Sequence, residues 1–229
     1  LLNSETPIEE SGDEPAIMFK NSQCPVVIGP NRIQAAKHLM ENTDSNVILS
    51  DDGLQHFSLG RDIEILMIDG NRKFGNELLL PAGPLREPKS RIETVDFTIS
   101  SNRKWPSVAK YEMKYRPFKW VHMKSQKEYD IFDWPLKKEV NAVAGIGNPS
   151  NFFNLLKQLG FDISEYAFPD HHDFHSVDFE IMDNQPTVMT EKDAIKCSFL
   201  DHTNYWYLKI EAEVSDNFEQ DFLAEIKSK

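Results

Sequence analysis

The chain of 229 residues is long enough for one large domain or two small ones, and its 40% hydrophobic content predicts a buried core rather than a disordered tail. A net charge of −12 and a pI near 5.0 argue against broad electrostatic binding to nucleic acid, because phosphate-backbone contact requires clustered lysine and arginine. No apolar run approaches the ~20 residues that a membrane-spanning helix needs. The two cysteines, Cys24 and Cys197, are expected to be reduced thiols of a cytosolic protein.

The first hundred residues alternate between strand and helix patterns. The segment headed by Asn31, a plausible N-cap, has apolar residues at helical spacing. Residues 71–96 contain three prolines and three arginines and are expected to form an ordered loop. This alternation indicates a parallel α/β sheet, in which ligands bind beyond the carboxyl ends of the strands. Strands are predicted at PVVIG (25–29), NVILSDD (46–52), DIEILMIDG (62–70) and VDFTIS (95–100).

The rest of the chain predicts a second α/β unit. Residues 101–138 carry aromatic and charged side chains without a clean period, and are expected to hold antiparallel strands or a crossover between domains. From about residue 139 a strand leads through a glycine loop into a helix, with Ser150 as N-cap and Gly160 as C-terminal stop. Two further strands are predicted, near PTVMT (186–190) and WYLKIEAEV (206–214).

In the stretch VILSDDGLQH (47–56), an apolar run is followed directly by polar and charged residues. A strand that ends in acid can hold a carboxylate beside Mg²⁺, because hard divalent cations prefer oxygen ligands. Asp51 and Asp52 would supply carboxylates and Gln55 a neutral oxygen, while His56 could contact the ligand or brace the loop. The alternative is a solvated turn whose acids cap the next segment.

The motif GDEP (12–15) allows two interpretations of Asp13. Asp13 followed by Glu14 and Pro15 is typical of a helix N-cap with proline in the first turn. A carboxylate at a helix N-terminus could also accept a proton from a substrate hydroxyl.

The motif FPDHHDFH (168–175) is dense in potential metal ligands, namely Asp170, His171, His172, Asp173 and His175. Such a density suggests a metal cluster, although adjacent histidines often point in different directions. An imidazole in this motif could alternatively pair with a catalytic carboxylate or stack on a base.

Two other motifs carry weaker signals. GIGNPS (145–150) has Ser150 where a dinucleotide-binding loop would have its third glycine, so a tight entry into a helix is the simpler interpretation. TEKDAIK (190–196) is predicted to be a mostly solvated helix start. The sequence contains no G-x-x-x-x-G-K-[ST] phosphate-binding loop.

Taken together, these stretches resemble one family. The segment SDDGLQHFSLGRDIEILMIDGNRKFGNELLLPAGPLREPKSR (50–91) is similar to the hallmark segment of the tetraacyldisaccharide 4′-kinase family, and GDEP, NAVAGIGNP, FPDHH and TEKDAIK occur there in the same order. The resemblance spans nearly the whole chain. It implies a P-loop-kinase-like parallel sheet core over residues 1–100, linker strands over 101–138, and a smaller second α/β domain over 139–229.

The resemblance also implies a reaction and roles for residues. The reaction is the ATP-dependent, Mg²⁺-assisted phosphorylation of the 4′-hydroxyl of a tetraacylated glucosamine disaccharide 1-phosphate, the lipid A precursor in lipopolysaccharide biosynthesis. Asp13 resembles the catalytic base, and His171 the imidazole that supports it. The remaining implied roles are cofactor contacts for His171 and Asp51, Mg²⁺ ligation for Asp52 and Gln55, and substrate contacts for Arg32, His56 and Arg86.

Members of that family begin with a hydrophobic membrane-docking helix and a P-loop, and this sequence contains neither. The chain is therefore expected to be a fragment with little activity of its own. The implied partners of the parent enzyme are the lipid A disaccharide precursor, ATP and the cytoplasmic face of the bacterial inner membrane, reached through that N-terminal helix; nucleic acid is not among them.

Two other functions compete with this interpretation. A metal-dependent phosphoesterase would use residues 51, 52, 170 and 171 to hold shared metal ions that activate water. A non-catalytic binding module would lack a P-loop altogether.

Overall fold

The computed structural model describes residues 1–182, 184–200, 203–215 and 217–229. The α-helices are α1 (Ile8–Ser11), α2 (Asp13–Ser22), α3 (Arg32–Asn42), α4 (Pro149–Gln158), α5 (Glu191–Ala194) and α6 (Asn217–Ser228). The strands are β1 (Ile65–Asp69), β2 (Phe97–Ser101), β3 (Tyr111–His122), β4 (Glu128–Asp130), β5 (Glu139–Ala144), β6 (Asp162–Ala167), β7 (Thr187–Thr190) and β8 (Tyr205–Val214). Short 3₁₀ helices cover Lys89–Thr94, Ser176–Phe179 and Ile195–Cys197. This confirms the mixed α/β class.

The chain divides into two compact units, each made of two chain segments. The first unit is Leu1–Ile48 with Pro117–Ile210, and the second is Leu49–Arg116 with Glu211–Lys229. Strands β3 and β8 each begin in one unit and end in the other. The domain boundaries predicted from the sequence, at residues 100 and 138, differ from the bounds of these two compact units. The predicted division into three parts stays a prediction.

The first unit is built on parallel strands in the order β8-β7-β5-β6. The side chains of β5 from Val140 to Ala144 are all inaccessible to solvent, as expected for a central strand that is covered on both faces. On one face, β5 and β7 pack against Phe152, Phe153 and Leu156 of α4. On the other face, Val143 and Met189 pack against Phe174 and Phe179. The packed sheet holds the loops at its carboxyl edge in fixed positions.

Residues 117–138 of the first unit contain an antiparallel pair, β3 with β4, which confirms one of the two predicted possibilities. Trp120 is fully buried, and its indole Nε1 donates a hydrogen bond of 3.0 Å to the Ile131 carbonyl. The ring packs against Trp134 and Phe161 at centroid distances of 5.0 and 5.1 Å. The aromatic side chains of this segment therefore fill a core, and their lack of a clean period follows from the turn between the two strands.

The second unit carries the parallel strands β1 and β2 and the first residues of β3. Its core consists of Phe97, Ile99 and Tyr111, against which Phe218 and Phe222 of α6 pack. Strands β1 and β2 confirm the predictions over 62–70 and 95–100. The loop between them is ordered, with an isolated bridge between Leu79 and Leu85 and the 3₁₀ helix that follows.

Two predicted strands, 25–29 and 46–52, are not strands in the structure. Their residue types favour extended backbone, but a strand also needs a partner for its N–H and C=O groups. The carbonyl of Val26 accepts a hydrogen bond of 2.8 Å from Leu2, without continuing into a ladder. In the second stretch, Leu49 is 81% exposed rather than buried. Apolar composition alone was therefore an insufficient basis for these two predictions.

The observed helix ends lie within one or two residues of the positions predicted from the sequence. Asn31 caps α3 as predicted, its side chain accepting a hydrogen bond from the Gln34 backbone. Gly160 follows α4 with φ at +81°, where glycine has no steric penalty. The other two predicted caps were wrong: Asn148 caps α4 instead of Ser150, and Gly12 caps α2 so that Asp13 is its first residue. The described residues include no helix long and apolar enough to cross a membrane.

Candidate active site

Asp13 is the first residue of α2, and its carboxylate lies in a protected position. Gly12 adopts φ of +82° and turns the chain directly into the helix. The side chain of Asp13 is only 13% exposed, and its Oδ1 accepts a hydrogen bond of 3.0 Å from the Glu14 N–H. Its Oδ2 is buried and accepts no hydrogen bond from the described residues. A buried carboxylate oxygen without a hydrogen bond calls for an explanation in its surroundings, and a functional role is one such explanation.

His171 faces this oxygen from the turn that follows β6. Its Nδ1 lies 3.4 Å from Asp13 Oδ2, while 61% of its side chain remains exposed. The backbone of His171 has φ of +57°, a left-handed conformation that is uncommon for residues other than glycine. Its N–H donates to Asp170 Oδ1 at 3.1 Å, which helps hold the turn. The structure thus brings together Asp13 and His171, which are 158 positions apart in the sequence.

Lys192 of α5 completes the cluster, and the sequence analysis missed it. Its Nζ lies 3.7 Å from Asp13 Oδ2, 3.2 Å from Glu14 Oε1 and 3.8 Å from Asp170 Oδ1, with 21% of the side chain exposed. The ammonium of Lys192 therefore forms ion pairs with three carboxylates. We call Asp13, His171, Asp170 and Lys192 the carboxylate cluster.

Asp193, the next residue of the TEKDAIK motif, is fully buried, so the prediction of a mostly solvated helix start was wrong. Its Oδ2 accepts hydrogen bonds from the Gly145 N–H at 3.0 Å and from the Thr190 hydroxyl at 2.6 Å. The Thr190 hydroxyl in turn accepts from the Asp193 N–H at 3.2 Å. These bonds fasten the loop after β5 to α5. The T-x-x-D spacing, a variant of a capping box, could have identified the bonds between Thr190 and Asp193, but not the bond to Gly145.

The other histidines of the FPDHHDFH motif have structural partners. His172 Nε2 lies 3.0 Å from Asp178 Oδ2, and its ring stacks on Phe168. His175 Nδ1 lies 2.8 Å from the Asp173 carbonyl. Within the described ranges, no three or more His, Cys, Asp or Glu side chains are grouped so as to hold a metal ion. The metal-cluster interpretation of this motif was therefore wrong, and the phosphoesterase hypothesis lacks the multi-ligand site that it requires.

The hydrogen bonds of Asp178 with His172 and His175 can be tested through the pH dependence of the free energy of unfolding. Partial burial acts to raise its pKa, but hydrogen bonds from the His175 N–H and from His172 outweigh it and hold the pKa below its usual value. A lowered pKa in the folded state adds stability that is present above the unfolded value of about 3.9 and is lost as pH falls through the folded value.

We expect Asp178→Asn to lower the free energy of unfolding by about 1 kcal/mol at pH 6, because the charged acceptor is lost. The difference between the two proteins should shrink as the pH is lowered below about 4, where the wild-type carboxylate is itself protonated. Urea unfolding at a series of pH values measures both. A difference that stays constant across the acid range would contradict the assignment.

The second unit holds most of the other predicted site residues. Arg86 donates to Asp52 Oδ2 at 3.1 Å and to Gln55 Oε1 at 3.3 Å, which brings together the two residues predicted to bind metal. Gln55 Nε2 donates to Glu87 Oε1 at 2.7 Å. Both Asp52 and Arg86 are more than half exposed. Glu87 was missed by the sequence analysis, although it adjoins Arg86.

Three further predicted residues have less defined surroundings. Asp51 is exposed, and His56 is half-buried in the turn that follows Gly53, to whose carbonyl its N–H donates at 3.0 Å. Arg32, in the first unit, is half-buried at the first position of α3. Their roles stay predictions.

The oxygen atoms of Asp52 and Gln55 are of the type that binds Mg²⁺, but by themselves they do not complete its coordination shell. A carboxylate oxygen and an amide oxygen lie within reach of one cationic group, Arg86, and both are hard ligands of the kind that Mg²⁺ prefers. Mg²⁺ usually takes one or two protein carboxylates and completes its shell with water and substrate phosphates. Asp52 and Gln55 therefore fit a metal that is held jointly with a phosphorylated ligand.

Comparison with known proteins settles the family. Residues 1–227 match the model of the family described as Tetraacyldisaccharide-1-P 4'-kinase. The chain belongs to this family. A tetraacyldisaccharide 4′-kinase of Legionella pneumophila (strain Corby) is 45% identical over 213 residues, which are 92% of this chain and 64% of the relative. One of Shewanella woodyi is 44% identical over 94% of this chain and 62% of the relative.

A solved member of the tetraacyldisaccharide 4′-kinase family has the same fold. The crystal structure of the "apo" form of LpxK from Aquifex aeolicus in complex with ATP is 26% identical to this chain, with a TM-score of 0.77. The similarity covers 96% of this chain and 70% of that one. The chain spans about two thirds of the length of these relatives, 64% in the Legionella case.

Proposed function

We propose that the protein transfers the γ-phosphate of ATP, with Mg²⁺, to the 4′-hydroxyl of a tetraacylated glucosamine disaccharide 1-phosphate in lipid A biosynthesis. The observation that carries the proposal is the buried, donor-free Oδ2 of Asp13, faced by His171 and Lys192, in a chain that matches the tetraacyldisaccharide 4′-kinase family from residue 1 to residue 227. The solved relative was crystallised with ATP, which supports a nucleotide as phosphate donor.

Asp13 acts as the general base in this proposal. The substrate hydroxyl gives its proton to Asp13 Oδ2 as its oxygen forms a bond to the γ-phosphorus, and the bond from that phosphorus to the bridging oxygen of ADP breaks. Lys192 places a positive charge beside the accepting oxygen and helps to position the carboxylate, because its ammonium lies 3.7 Å away. His171, at 3.4 Å, orients the same oxygen and shields it from water.

Asp52 and Gln55 would hold Mg²⁺, which supplies charge neutralisation at the phosphates. Arg86, within 3.3 Å of both residues, would then turn its guanidinium to phosphate oxygens, a geometry that arginine recognises well. Asp51 and His171 remain proposed nucleotide contacts, and Arg32 and His56 proposed substrate contacts. The proposed place of action is the cytoplasmic face of the bacterial inner membrane, where a lipid disaccharide and ATP are both within reach.

The test is transfer of labelled γ-phosphate from ATP to tetraacyldisaccharide 1-phosphate dispersed in detergent. It compares the 229-residue chain with a version extended by the part of the Legionella relative that the similarity does not cover. We expect a phosphorylated lipid from the extended version. ATP hydrolysis without a phosphorylated lipid, or no reaction with ATP in either version, would overturn the proposal.

A further inference from the structure

Two arginines in the second unit share one glutamate between the sheet and the segment that carries Asp52 and Gln55. Arg61 Nε lies 3.2 Å from Glu64 Oε1, and Arg91 Nη2 donates a hydrogen bond to the same oxygen. The three side chains are between 14% and 24% exposed, so water screens them only in part. We call Arg61, Glu64 and Arg91 the arginine brace.

The centre of the arginine brace is fastened to the sheet. Glu64 directly precedes β1, and its N–H donates to Asp96 Oδ2 at 2.8 Å. Its carbonyl accepts hydrogen bonds from the Asp96 N–H at 3.1 Å and from the Phe97 N–H at 3.0 Å. Phe97 begins β2 and is buried in the core of the unit. The carboxylate of Glu64 is therefore a fixed point against which both arginines are held.

Arg61 connects this fixed point to the backbone between the two predicted metal ligands. Its Nη1 donates to the Gly53 carbonyl at 3.1 Å and to the Leu54 carbonyl at 2.9 Å. Hydrogen bonds from a charged donor are stronger than those between neutral groups. Because Gly53 and Leu54 are the two residues that separate Asp52 from Gln55, Arg61 fixes the backbone that carries both side chains.

Arg91 acts on the side chain of Gln55 through a second glutamate. Its Nε donates to Glu87 Oε2 at 3.1 Å, and Glu87 Oε1 accepts from Gln55 Nε2 at 2.7 Å. A carboxylate only accepts hydrogen bonds, so the amide group that faces it is the NH₂ of Gln55. The amide oxygen is thereby turned away from Glu87 and toward Arg86, which also contacts Asp52.

Position explains this network better than stability does. Replacing partly buried ion pairs by apolar side chains is often neutral or stabilising, so the charges of the arginine brace are not required for folding energy alone. Asp52 itself is 71% exposed, and its partner Arg86 is 58% exposed. Ligands of a metal site are oriented by a further layer of hydrogen bonds behind them, and the arginine brace supplies such a layer.

We propose that Arg61, Glu64 and Arg91 are positioning residues for the predicted Mg²⁺ ligands. The arginine brace holds the backbone between Asp52 and Gln55 and sets the direction of the Gln55 amide oxygen. The inference rests on the proposed function, in which these two residues hold Mg²⁺, and it adds three residues that act behind them.

The test is Glu64→Gln in the extended protein, because a neutral amide of the same shape cannot pair with both arginines. Binding of Mn²⁺ in the presence of ATP, followed by the EPR signal of free Mn²⁺, should weaken about tenfold. Binding of ATP in EDTA should stay unchanged, whereas a general loss of structure would weaken both. Arg91→Lys should weaken Mn²⁺ binding as well, since a single ammonium does not reproduce the fork that joins Glu64 to Glu87.

Glu77→Gln is the matched control. Glu77 pairs with Lys89 at 2.8 Å in the same unit, and both side chains are about half exposed. The same chemical change at this position should leave Mn²⁺ binding unaltered. Unchanged Mn²⁺ affinity in Glu64→Gln, an equal loss of ATP binding in EDTA, or an equal loss in Glu77→Gln would overturn the proposal.

Hydrogen exchange gives a second measurement that needs neither ATP nor metal. The His56 N–H donates to the Gly53 carbonyl at 3.0 Å, so its exchange reports the order of the segment that Arg61 holds. It should exchange faster in the Glu64→Gln form of the 229-residue chain than in the unsubstituted chain, and equal exchange would contradict the proposed brace. The proposed function is judged separately, by phosphate transfer to the lipid in the unsubstituted extended protein.

Discussion

Asp13→Asn should lower kcat for phosphate transfer by about a thousandfold, because a positioned general base typically contributes factors of 10² to 10⁴. The amide has the shape of the carboxylate but cannot accept the substrate proton. The KM values for ATP and the lipid should change by no more than a few-fold, since the proton is transferred only in the transition state. Steady-state kinetics of the extended protein measure both constants.

Glu14→Gln is the matched control for this substitution. Glu14 is the next residue of α2 and its carboxylate also lies near Lys192, at 3.2 Å. Its side chain is 57% exposed, however, so it is not protected from solvent as Asp13 is. Its replacement should change kcat only a few-fold. Near-normal turnover in Asp13→Asn, or an equal loss in Glu14→Gln, would remove Asp13 from the role of base.

Asp193→Ala should destabilise the first unit by about 3 kcal/mol, the size expected when one member of a buried charged network is removed. The substitution leaves the buried N–H of Gly145 without an acceptor and removes the partner of the Thr190 hydroxyl. It also separates Lys196, whose Nζ lies 3.4 Å from Asp193 Oδ1, from its carboxylate. Urea unfolding followed by tryptophan fluorescence measures the loss, and hydrogen exchange at Gly145 locates it.

Asp193→Asn separates charge from shape in this network. An amide oxygen can still accept from Gly145, so the loss should be smaller than in the alanine variant. Glu191→Ala on the same helix provides the surface comparison, since the Glu191 carboxylate accepts a hydrogen bond from the exposed side chain of Asn21, and this substitution should change stability by about 0.5 kcal/mol or less. Equal stabilities of Asp193→Ala and the wild type would contradict a structural anchor at this position.

Local patterns in the sequence predicted much of the fold because they report local physics. The cap at Asn31, the stop at Gly160 and the strands β1, β2, β7 and β8 follow from residue types within a few positions. The failed strands over 25–29 and 46–52 show the limit of this reasoning, because pairing depends on partners that are distant in the sequence. The edge strand β6 was missed for a related reason: its side chains are mostly exposed, so it lacks an apolar signal.

The candidate site was predictable in part. Motif resemblance pointed to Asp13 and His171, and the structure brings them to 3.4 Å. It also pointed to Asp52 and Gln55, which share Arg86. Lys192 and Asp193 were interpreted as solvated because charge in a short helix start usually is. Their contacts with Asp13 and Gly145 depend on tertiary packing, which no spacing in the sequence reveals.

The most direct test of the account is a double-mutant cycle on kcat with Asp13→Asn and His171→Ala in the extended protein. If His171 acts through Asp13, the double variant should be no slower than Asp13→Asn alone, because the base that His171 serves is already lost. Losses that multiply would show that His171 contributes independently of Asp13. That result would contradict the carboxylate cluster as the proton-accepting centre of the reaction.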